Sequence, residues 1–188
     1  MDVYQECPVL ESGRFVLRPV KREDCPDLLR VYSDEQAVPL FNSDNCPGDD
    51  FHYQTPERMA QAIRFWEFSY QNRFFVRWSI VDRQTMEVVG TIELFRREAE
   101  DFFTDTALLR LDLRSDYERE DVLKEILILI VETACEMFNC DTITTKAVPA
   151  ARARRNVLET IGFQESPNTL KGHDGTPYQH YFIRSKNA

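Results

Sequence analysis

Apolar and polar residues follow two different rhythms along this chain, and together they predict a mixed set of strands and helices. Short segments in which apolar residues alternate with polar ones are typical of strands that bury one face. Longer segments in which apolar residues recur every three or four positions are typical of amphipathic helices. The predicted order is one strand, two helices, three strands, a helix, a strand, a helix and two strands. This order predicts an α/β fold with a mixed sheet and helices on both faces.

The predicted strands are bounded by charged residues, prolines and glycines. They cover residues 14–19, 74–81, 87–95, 106–113, 141–148, 163–165 and 178–184. The predicted helices cover residues 26–32, a segment that begins with Pro56 after the N-cap Thr55, and residues 121–138 and 150–160. Residues 82–85 predict a hairpin turn between two strands, and Gly162 predicts the end of the last helix.

The composition is that of an ordinary globular chain. Its 188 residues predict a single domain over residues 1–188, because two full domains would be small at this length. The net charge of −9 argues against a nucleic-acid surface, which needs clustered Lys and Arg. A solvated acidic surface is one interpretation of this charge, and a cationic partner is another.

Membrane, export and metal-binding signals are weak. The chain has no run of the roughly 20 apolar residues that a membrane helix requires. Residues 1–6 carry neither a positive region nor an apolar stretch, so we expect no signal peptide and a cytoplasmic location. The cysteines have no C-x-x-C spacing, which favours reduced thiols, and the scattered histidines predict no metal site and no nucleophilic triad.

Three motifs spread over most of the chain resemble one known family. Residues 10–19 read L-E-S-G-R-F-V-L-R-P, residues 88–92 read V-V-G-T-I, and residues 157–163 read V-L-E-T-I-G-F. They are similar to the motifs L-x-T-x-R-L-x-L-R-P, V-I-G-x-I and V-L-E-K-L-G-F of the GCN5-related N-acetyltransferases (GNAT), in the branch that modifies ribosomal proteins and small molecules. The resemblance implies a GNAT-like acyl-CoA N-acyltransferase fold and transfer of acetyl from acetyl-CoA to a small-molecule or peptide amine.

The resemblance also implies where the cofactor would lie. Strands 106–113 and 141–148 should be parallel and separate at their C-terminal ends, with pantetheine along the backbone of the first. The pyrophosphate should meet the N-terminus of the following helix, where free N–H groups favour anions. The cofactor-binding positions implied in this way are Leu111, Leu113, Glu118, Arg119, Glu120, Asp121, Val122, Leu123 and Ala151.

The phosphate turn departs from the family motif Q/R-x-x-G-x-G/A. Glu118 stands in place of Arg or Gln, Asp121 in place of the first Gly, and Leu123 in place of the final Gly or Ala. A like-charge pair at 4 Å costs about 4 kcal/mol at an effective dielectric near 20, whereas a helix terminus returns only about 0.3–1 kcal/mol. With the bulk of Leu123 added, we expect acetyl-CoA to bind more weakly than about 1 mM.

The acidic residues of this turn have two interpretations. Glu118, Glu120 and Asp121 can simply stabilise the start of the helix. They can also pair with Arg152, Arg154 or Arg155, because in the family fold both helix beginnings border the same cleft. We therefore expect at least one of these carboxylates within salt-bridge reach of one of these arginines.

Catalytic candidates are few. Glu93 and Asp112 are the acids nearest the expected acceptor site, and each is either a general base or a solvated strand residue. The family's strand glutamate falls on Leu108, and no Tyr occupies the helix position that some members use as general acid, where Val157 and Leu158 stand. Aromatic residues that predict either core packing or an acceptor cage are Phe65, Trp66, Phe68, Phe74, Phe75 and Trp78.

Two functional hypotheses follow. The chain is an acetyl-CoA-dependent N-acetyltransferase with an aberrant phosphate turn, or it is an inactive GNAT-fold module that has lost acetyl-CoA binding and acts through binding or regulation, for example as a homodimer. Direct titration with acetyl-CoA distinguishes the two.

Overall fold

A computed structural model describes residues 2–186 of the chain, built around a twisted mixed sheet of eight strands in the order β1-β2-β3-β4-β5-β6-β10-β7. A separate pair, β8 and β9, forms a small antiparallel hairpin. The strands are β1 (Leu10–Glu11), β2 (Phe15–Pro19), β3 (Val76–Asp82), β4 (Glu87–Arg97), β5 (Thr106–Leu113), β6 (Thr142–Lys146), β7 (Gln164–Glu165), β8 (Leu170–Lys171), β9 (Pro177–Tyr178) and β10 (Tyr181–Ser185).

Every predicted strand is present, and the predicted mixed α/β class is confirmed. The sheet has one strand more than the seven predicted, because β1 also joins it. Like β8 and β9, β1 has only two residues, and so short a segment shows no alternation. The helices are α1 (Cys25–Tyr32), α2 (Pro56–Gln71), α3 (Glu120–Phe138) and α4 (Arg152–Thr160).

Local sequence explains where these helices begin and end. Thr55 caps α2, and its Oγ1 accepts a hydrogen bond from the Arg58 amide at 3.2 Å. The chain leaves α3 through Asn139 with φ 49° and follows α4 with Gly162 at φ 92°, both in the left-handed region. None of the described helices combines the length and the apolarity that a membrane crossing requires.

The helices cover both faces of the sheet, as predicted. On one face, α3 packs Leu123, Ile126 and Leu127 into a core that includes Leu109 and Leu111 of β5. On the other face, α1 and α2 build a second core from residues that include Tyr32 and Trp66. Gly90 of β4 is required by close packing, since a Cβ there would lie 2.4 Å from the carbonyl oxygen of Asp112.

A buried acid fastens the start of α1 to the sheet. The Asp24 carboxylate accepts hydrogen bonds from the guanidinium of Arg18 at 2.6 and 2.8 Å and from the Ser79 hydroxyl at 2.7 Å. The Lys21 amide donates to it at 2.9 Å. Burial raises the pKa of Asp24, but these hydrogen bonds outweigh burial and leave the pKa below its ordinary value of 3.8.

Replacing Asp24 with asparagine is expected to lower the free energy of unfolding by about 1.5–3 kcal/mol at neutral pH, because hydrogen bonds to a charged group are lost. A lowered folded-state pKa stabilises the fold above the unfolded-state pKa, and this contribution is lost as pH falls through the folded-state pKa. The difference between wild type and variant in urea unfolding should therefore shrink below about pH 3.8. Glu23→Gln, at the exposed neighbouring position, is the control and should change little.

Candidate functional site

The strands β5 and β6 are parallel but stay together only at their beginnings. Their pairing runs from Thr106 opposite Thr142 to Leu109 opposite Thr145. Beyond Leu109, β5 continues to Leu113 with a strand partner on its β4 side alone among the described residues. The predicted parallel pairing is confirmed, and the end of the pairing leaves the predicted opening at the C-terminal ends of the strands.

Arg154 fills this opening from the first turn of α4. Its Nη1 donates to the carbonyl oxygen of Leu111 at 2.9 Å and to that of Leu40 at 3.1 Å. Its Nη2 forms an ion pair with the Glu118 carboxylate, and the arginine is only 3% exposed. We call this arrangement the Arg154 closure: the Arg154 guanidinium, the two carbonyl oxygens and the Glu118 carboxylate.

The phosphate turn lies directly beside the closure. A short 3-10 turn at Ser115–Tyr117 leads through Glu118 to Arg119, which precedes the first residue of α3. The Glu120 carboxylate accepts a hydrogen bond from the Asn156 side chain at 2.8 Å, and the exposed Asp121 lies 3.4 Å from Arg119. Glu118 alone among the three acids pairs with an α4 arginine, which confirms the expected contact between the two helix beginnings.

The other implied cofactor positions have different surroundings. Val122 and Leu123 are buried in the core, because helical spacing places them on the inward face of α3. The expectation that Leu123 obstructs the phosphate turn was therefore wrong. Leu113 is buried opposite Gly90, and Ala151 is buried with its amide bonded to the Val148 carbonyl at 2.9 Å.

The two candidate bases belong to one buried network. Arg110 donates to Glu93 Oε1 at 2.8 Å, and Arg77 forms an ion pair with the other oxygen of Glu93. Arg77 Nη1 also donates to Asp112 Oδ2 at 3.1 Å. Asp112 Oδ2 accepts a further hydrogen bond from the Tyr32 hydroxyl at 2.6 Å. We call Arg77, Glu93, Arg110 and Asp112 the buried charge cluster.

The interpretation of Glu93 and Asp112 as solvated strand residues was wrong, because both are almost fully buried. A strand residue that points away from one core becomes buried when helices cover the second face as well. The sequence signal that was missed is Arg77, a charged residue that lies between the apolar residues Val76 and Trp78 in strand β3. A buried arginine needs carboxylate partners, and these are Glu93 and Asp112.

The pKa values of Glu93 and Asp112 are shifted in opposite directions. Burial raises the pKa of Glu93, but the charges of Arg77 and Arg110 outweigh it and lower the pKa. Burial also raises the pKa of Asp112, and there the opposing effects of Arg77 and Tyr32 are too small to reverse it. Asp112 is the better proton acceptor of the two, yet it is 0% exposed and cannot touch an amine directly in this arrangement.

The predicted core aromatics divide into two groups. Trp66 and Trp78 are buried and Phe75 is half-buried, whereas Phe65, Phe68 and Phe74 are exposed, so core packing was wrong for these three. Aromatic rings also line a cavity of about 460 Å³ between α2, the loop before it and the sheet. Within residues 2–186, no group of three or more His, Cys, Asp and Glu side chains is arranged to hold a metal ion.

The part of the chain that builds these elements matches one family model. Residues 14–164 match the model of the acetyltransferase (GNAT) domain, which covers most of the chain. The chain belongs to the GNAT acetyltransferase family. It is an acetyltransferase-like protein, and domains of this family in general bind acetyl-CoA and act on amines.

Relatives and solved structures agree with this assignment. An uncharacterized N-acetyltransferase of Bacillus subtilis, YoaA, is 22% identical over 179 residues, which cover 91% of this chain and 92% of YoaA. RimJ of Mycobacterium smegmatis, solved in complex with CoA-disulfide, has a TM-score of 0.72 at 16% identity, with 96% of this chain and 87% of RimJ covered. The ribosomal-protein-S5-alanine acetyltransferase of Vibrio fischeri has a TM-score of 0.68 at 16% identity, with 95% and 96% covered. These structural matches establish the fold.

Proposed function

We propose that this protein transfers acetyl from acetyl-CoA to a small-molecule or peptide amine, and that the Arg154 closure keeps its affinity for acetyl-CoA low. One observation carries the proposal: the Arg154 guanidinium occupies the Leu111 carbonyl on the free edge of β5. That edge is where the family resemblance places pantetheine. The family membership supports acetyl transfer as the reaction class, and the Arg154 closure supports the low affinity for acetyl-CoA.

The residues present do not fit acetyl-CoA while the closure is intact. Arg154 stands in the opening, and Ala151, one of the implied cofactor-binding positions, has no side-chain hydrogen-bonding group. Displacing Arg154 would leave Glu118 without its cation next to the approaching phosphates. The backbone edge of β5 beyond Leu109 becomes available only when Arg154 leaves the Leu111 carbonyl.

The energy of the closure is large enough to govern binding. Separating the partners of a buried ion pair costs about 3–5 kcal/mol. A site that would otherwise bind with a dissociation constant near 1 μM, or about 8 kcal/mol, would then bind roughly 150- to 5,000-fold more weakly. The expected wild-type dissociation constant is therefore about 0.15–5 mM.

Acetyl-CoA titration by calorimetry tests this proposal. The double variant Glu118→Gln/Arg154→Ala opens the cleft without leaving an unpaired charge, and it should bind at least about tenfold more tightly than wild type. The matched control is Glu165→Gln/Arg155→Ala, which removes the neighbouring ion pair of α4 at 2.6 Å, away from the Leu111 edge. The control should leave the affinity unchanged.

A third variant separates the turn from the closure. Glu118→Arg/Asp121→Gly restores the family's residue types in the phosphate turn but keeps Arg154, so it should still bind weakly. Micromolar binding by the wild-type chain would contradict the proposed restraint. Tighter binding by the opened variant without acetyl transfer to any amine would contradict the proposed reaction.

The inactive module is the second candidate, and the Arg154 closure is the observation that favours it. In this second candidate, the Arg154–Glu118 ion pair in the cleft stabilises the fold and has no part in cofactor binding. Absence of acetyl-CoA binding in both the wild-type and the opened chain would support this second function. A single domain over residues 1–188, the cytoplasmic location and a homodimer stay predictions.

A further inference from the structure

The cavity of about 460 Å³ adjoins the opening between β5 and β6. Arg110, the first β5 residue beyond the last pair with β6, lines it. Glu93 and Arg77 line it as well, so part of the buried charge cluster forms its inner wall. A volume of this size lies within the range of about 300–1,000 Å³ that holds small ligands.

The remaining walls are largely aromatic. The rings that line the cavity are Phe51, Tyr53, Phe65, Trp66 and Phe75. Arg77 stacks on Trp66 with its guanidinium carbon 4.2 Å from the ring centroid, and Arg58 stacks on Tyr53 at 4.2 Å. Because two cations already stack on these rings, the walls favour the apolar body of a ligand over a cationic group.

The charges of the wall leave one cation in excess. Arg58, Arg77 and Arg110 face the cavity together with only two carboxylates, Asp49 and Glu93. Arg58 pairs with Asp49 at 2.7 Å, and Glu93 is shared by Arg77 and Arg110. The Nε atoms of Arg77 and Arg110 are buried and have no hydrogen-bond partner among residues 2–186. Both arginines therefore keep one N–H donor that has no acceptor within the described fold.

Asp112 also contacts Arg77, but it does not line the cavity. Its carboxylate offsets part of the charge of Arg77 but places no further carboxylate inside the cavity. A cationic ligand would have to compete with two guanidinium groups for Glu93. The wall thus suits a carboxylate better than an ammonium group.

We infer that this cavity binds an apolar carboxylic acid, with the carboxylate toward Arg77 and Arg110 and the apolar body among the aromatic rings. If the protein transfers acetyl as proposed, the acetyl acceptor is an amino acid with a large apolar side chain, and its amine faces the opening between β5 and β6. The carboxylate of such a molecule supplies an anion to the arginines, and its apolar side chain packs among the aromatic rings.

Binding of small probes tests the cavity without acetyl-CoA. We expect 3-phenylpropionate, which carries the carboxylate, to bind the wild-type chain at least tenfold more tightly than 2-phenylethylamine, which carries the amine. Calorimetry or ligand-detected NMR measures both. Equal affinities, tighter binding of the amine or no binding of either probe would overturn the inference.

Two exposed phenylalanines of α2 provide a matched pair. Phe65 lines the cavity at 56% exposure, and Phe68 lies outside the lining at 53% exposure. Phe65→Ala should weaken 3-phenylpropionate binding at least threefold, whereas Phe68→Ala should leave it unchanged. Equal effects of the two substitutions would show that the probe binds elsewhere.

The charge recognition has its own comparison. Arg58→Gln changes a cavity cation at the rim, and Arg64→Gln changes an exposed cation of the same helix outside the lining. Arg58→Gln should weaken the binding of 3-phenylpropionate, and Arg64→Gln should leave it unchanged. Equal effects of the two substitutions would overturn the electrostatic part of the inference.

Acetyl transfer is then measured with phenylalanine as acceptor in wild type and in Glu118→Gln/Arg154→Ala. If the chain binds the carboxylate probe selectively but transfers acetyl to no amine, the inferred cavity ligand is supported and the proposed reaction is contradicted. Transfer to 2-phenylethylamine in preference to phenylalanine supports the reaction and overturns the inferred acceptor.

Discussion

Replacing Arg77 with methionine is expected to lower the free energy of unfolding by about 3–5 kcal/mol, because it leaves buried carboxylates without their shared cation. Asp112 loses its only salt-bridge partner among residues 2–186, and Glu93 keeps Arg110 alone. The Tyr32 hydroxyl and the Thr91 hydroxyl also lose their donor, at 2.7 and 3.0 Å. Urea unfolding measures the loss, which corresponds to about 2–4 °C of melting temperature per kcal/mol at this chain length.

The pH dependence of this variant has a defined sign. Arg77 lowers the pKa of Asp112, so its removal lets Asp112 take up a proton at a higher pH than in wild type. Protonation removes an unpaired buried charge. The destabilisation relative to wild type should therefore shrink as pH falls through the raised pKa of Asp112 in the variant.

Two controls distinguish the buried charge cluster from arginine in general. Arg22→Met removes an exposed ion pair with Glu67 and should change stability by less than about 1 kcal/mol. Adding Asp112→Asn to Arg77→Met should recover at least half of the loss, since Glu93 keeps Arg110 and no carboxylate of the cluster then remains unpaired. A loss below about 1 kcal/mol for Arg77→Met would mean that the cluster contributes little.

Replacing Leu123 with alanine is expected to lower the free energy of unfolding by about 2–5 kcal/mol, the usual cost of a cavity in a packed core. The side chain is 0% exposed and lies among the core residues of α3 and the sheet. This is a purely structural effect, although the position corresponds to the last Gly or Ala of the family's phosphate turn. Thermal or urea unfolding measures the loss.

Ile128 on the same helix is the matched control. It is 39% exposed, and Ile128→Ala should cost less than about 1 kcal/mol. Leu123→Ala should also leave acetyl-CoA affinity unchanged, because the side chain does not face the phosphate turn. A gain in affinity equal to that of Glu118→Gln/Arg154→Ala would contradict the position of Leu123 in the core.

The elements of the fold were predictable because periodicity depends only on neighbouring residues. In α3, residues such as Leu123, Ile126 and Ile130 recur at helical spacing, and the core buries all three. The capping residue Thr55 and the terminating Gly162 also act within one turn of their helices. The three motifs then indicated the family, and the family indicated the parallel pair of strands.

The environment of β5 was predicted less well. Arg110 and Asp112 alternate with leucines, which is typical of a strand with one solvated face. That face is buried because α1 and the loop before α2 cover it. Asp112, for example, bonds to Tyr32, which lies 80 positions earlier in the chain. The alternation of apolar and charged residues along a strand shows that its two faces differ. It does not show which other elements cover the charged face.

The helices, the longer strands, the family resemblance and the acidic character of the phosphate turn could all be read from the order of the residues. The tertiary structure alone decided that Arg154, among three neighbouring arginines, enters the opening. Its partners Leu40, Leu111 and Glu118 lie 114, 43 and 36 positions away. Helical spacing fixes which residues share a face, whereas the path of the whole chain fixes what that face meets. The filling of the cofactor cleft is therefore a property of the assembled fold.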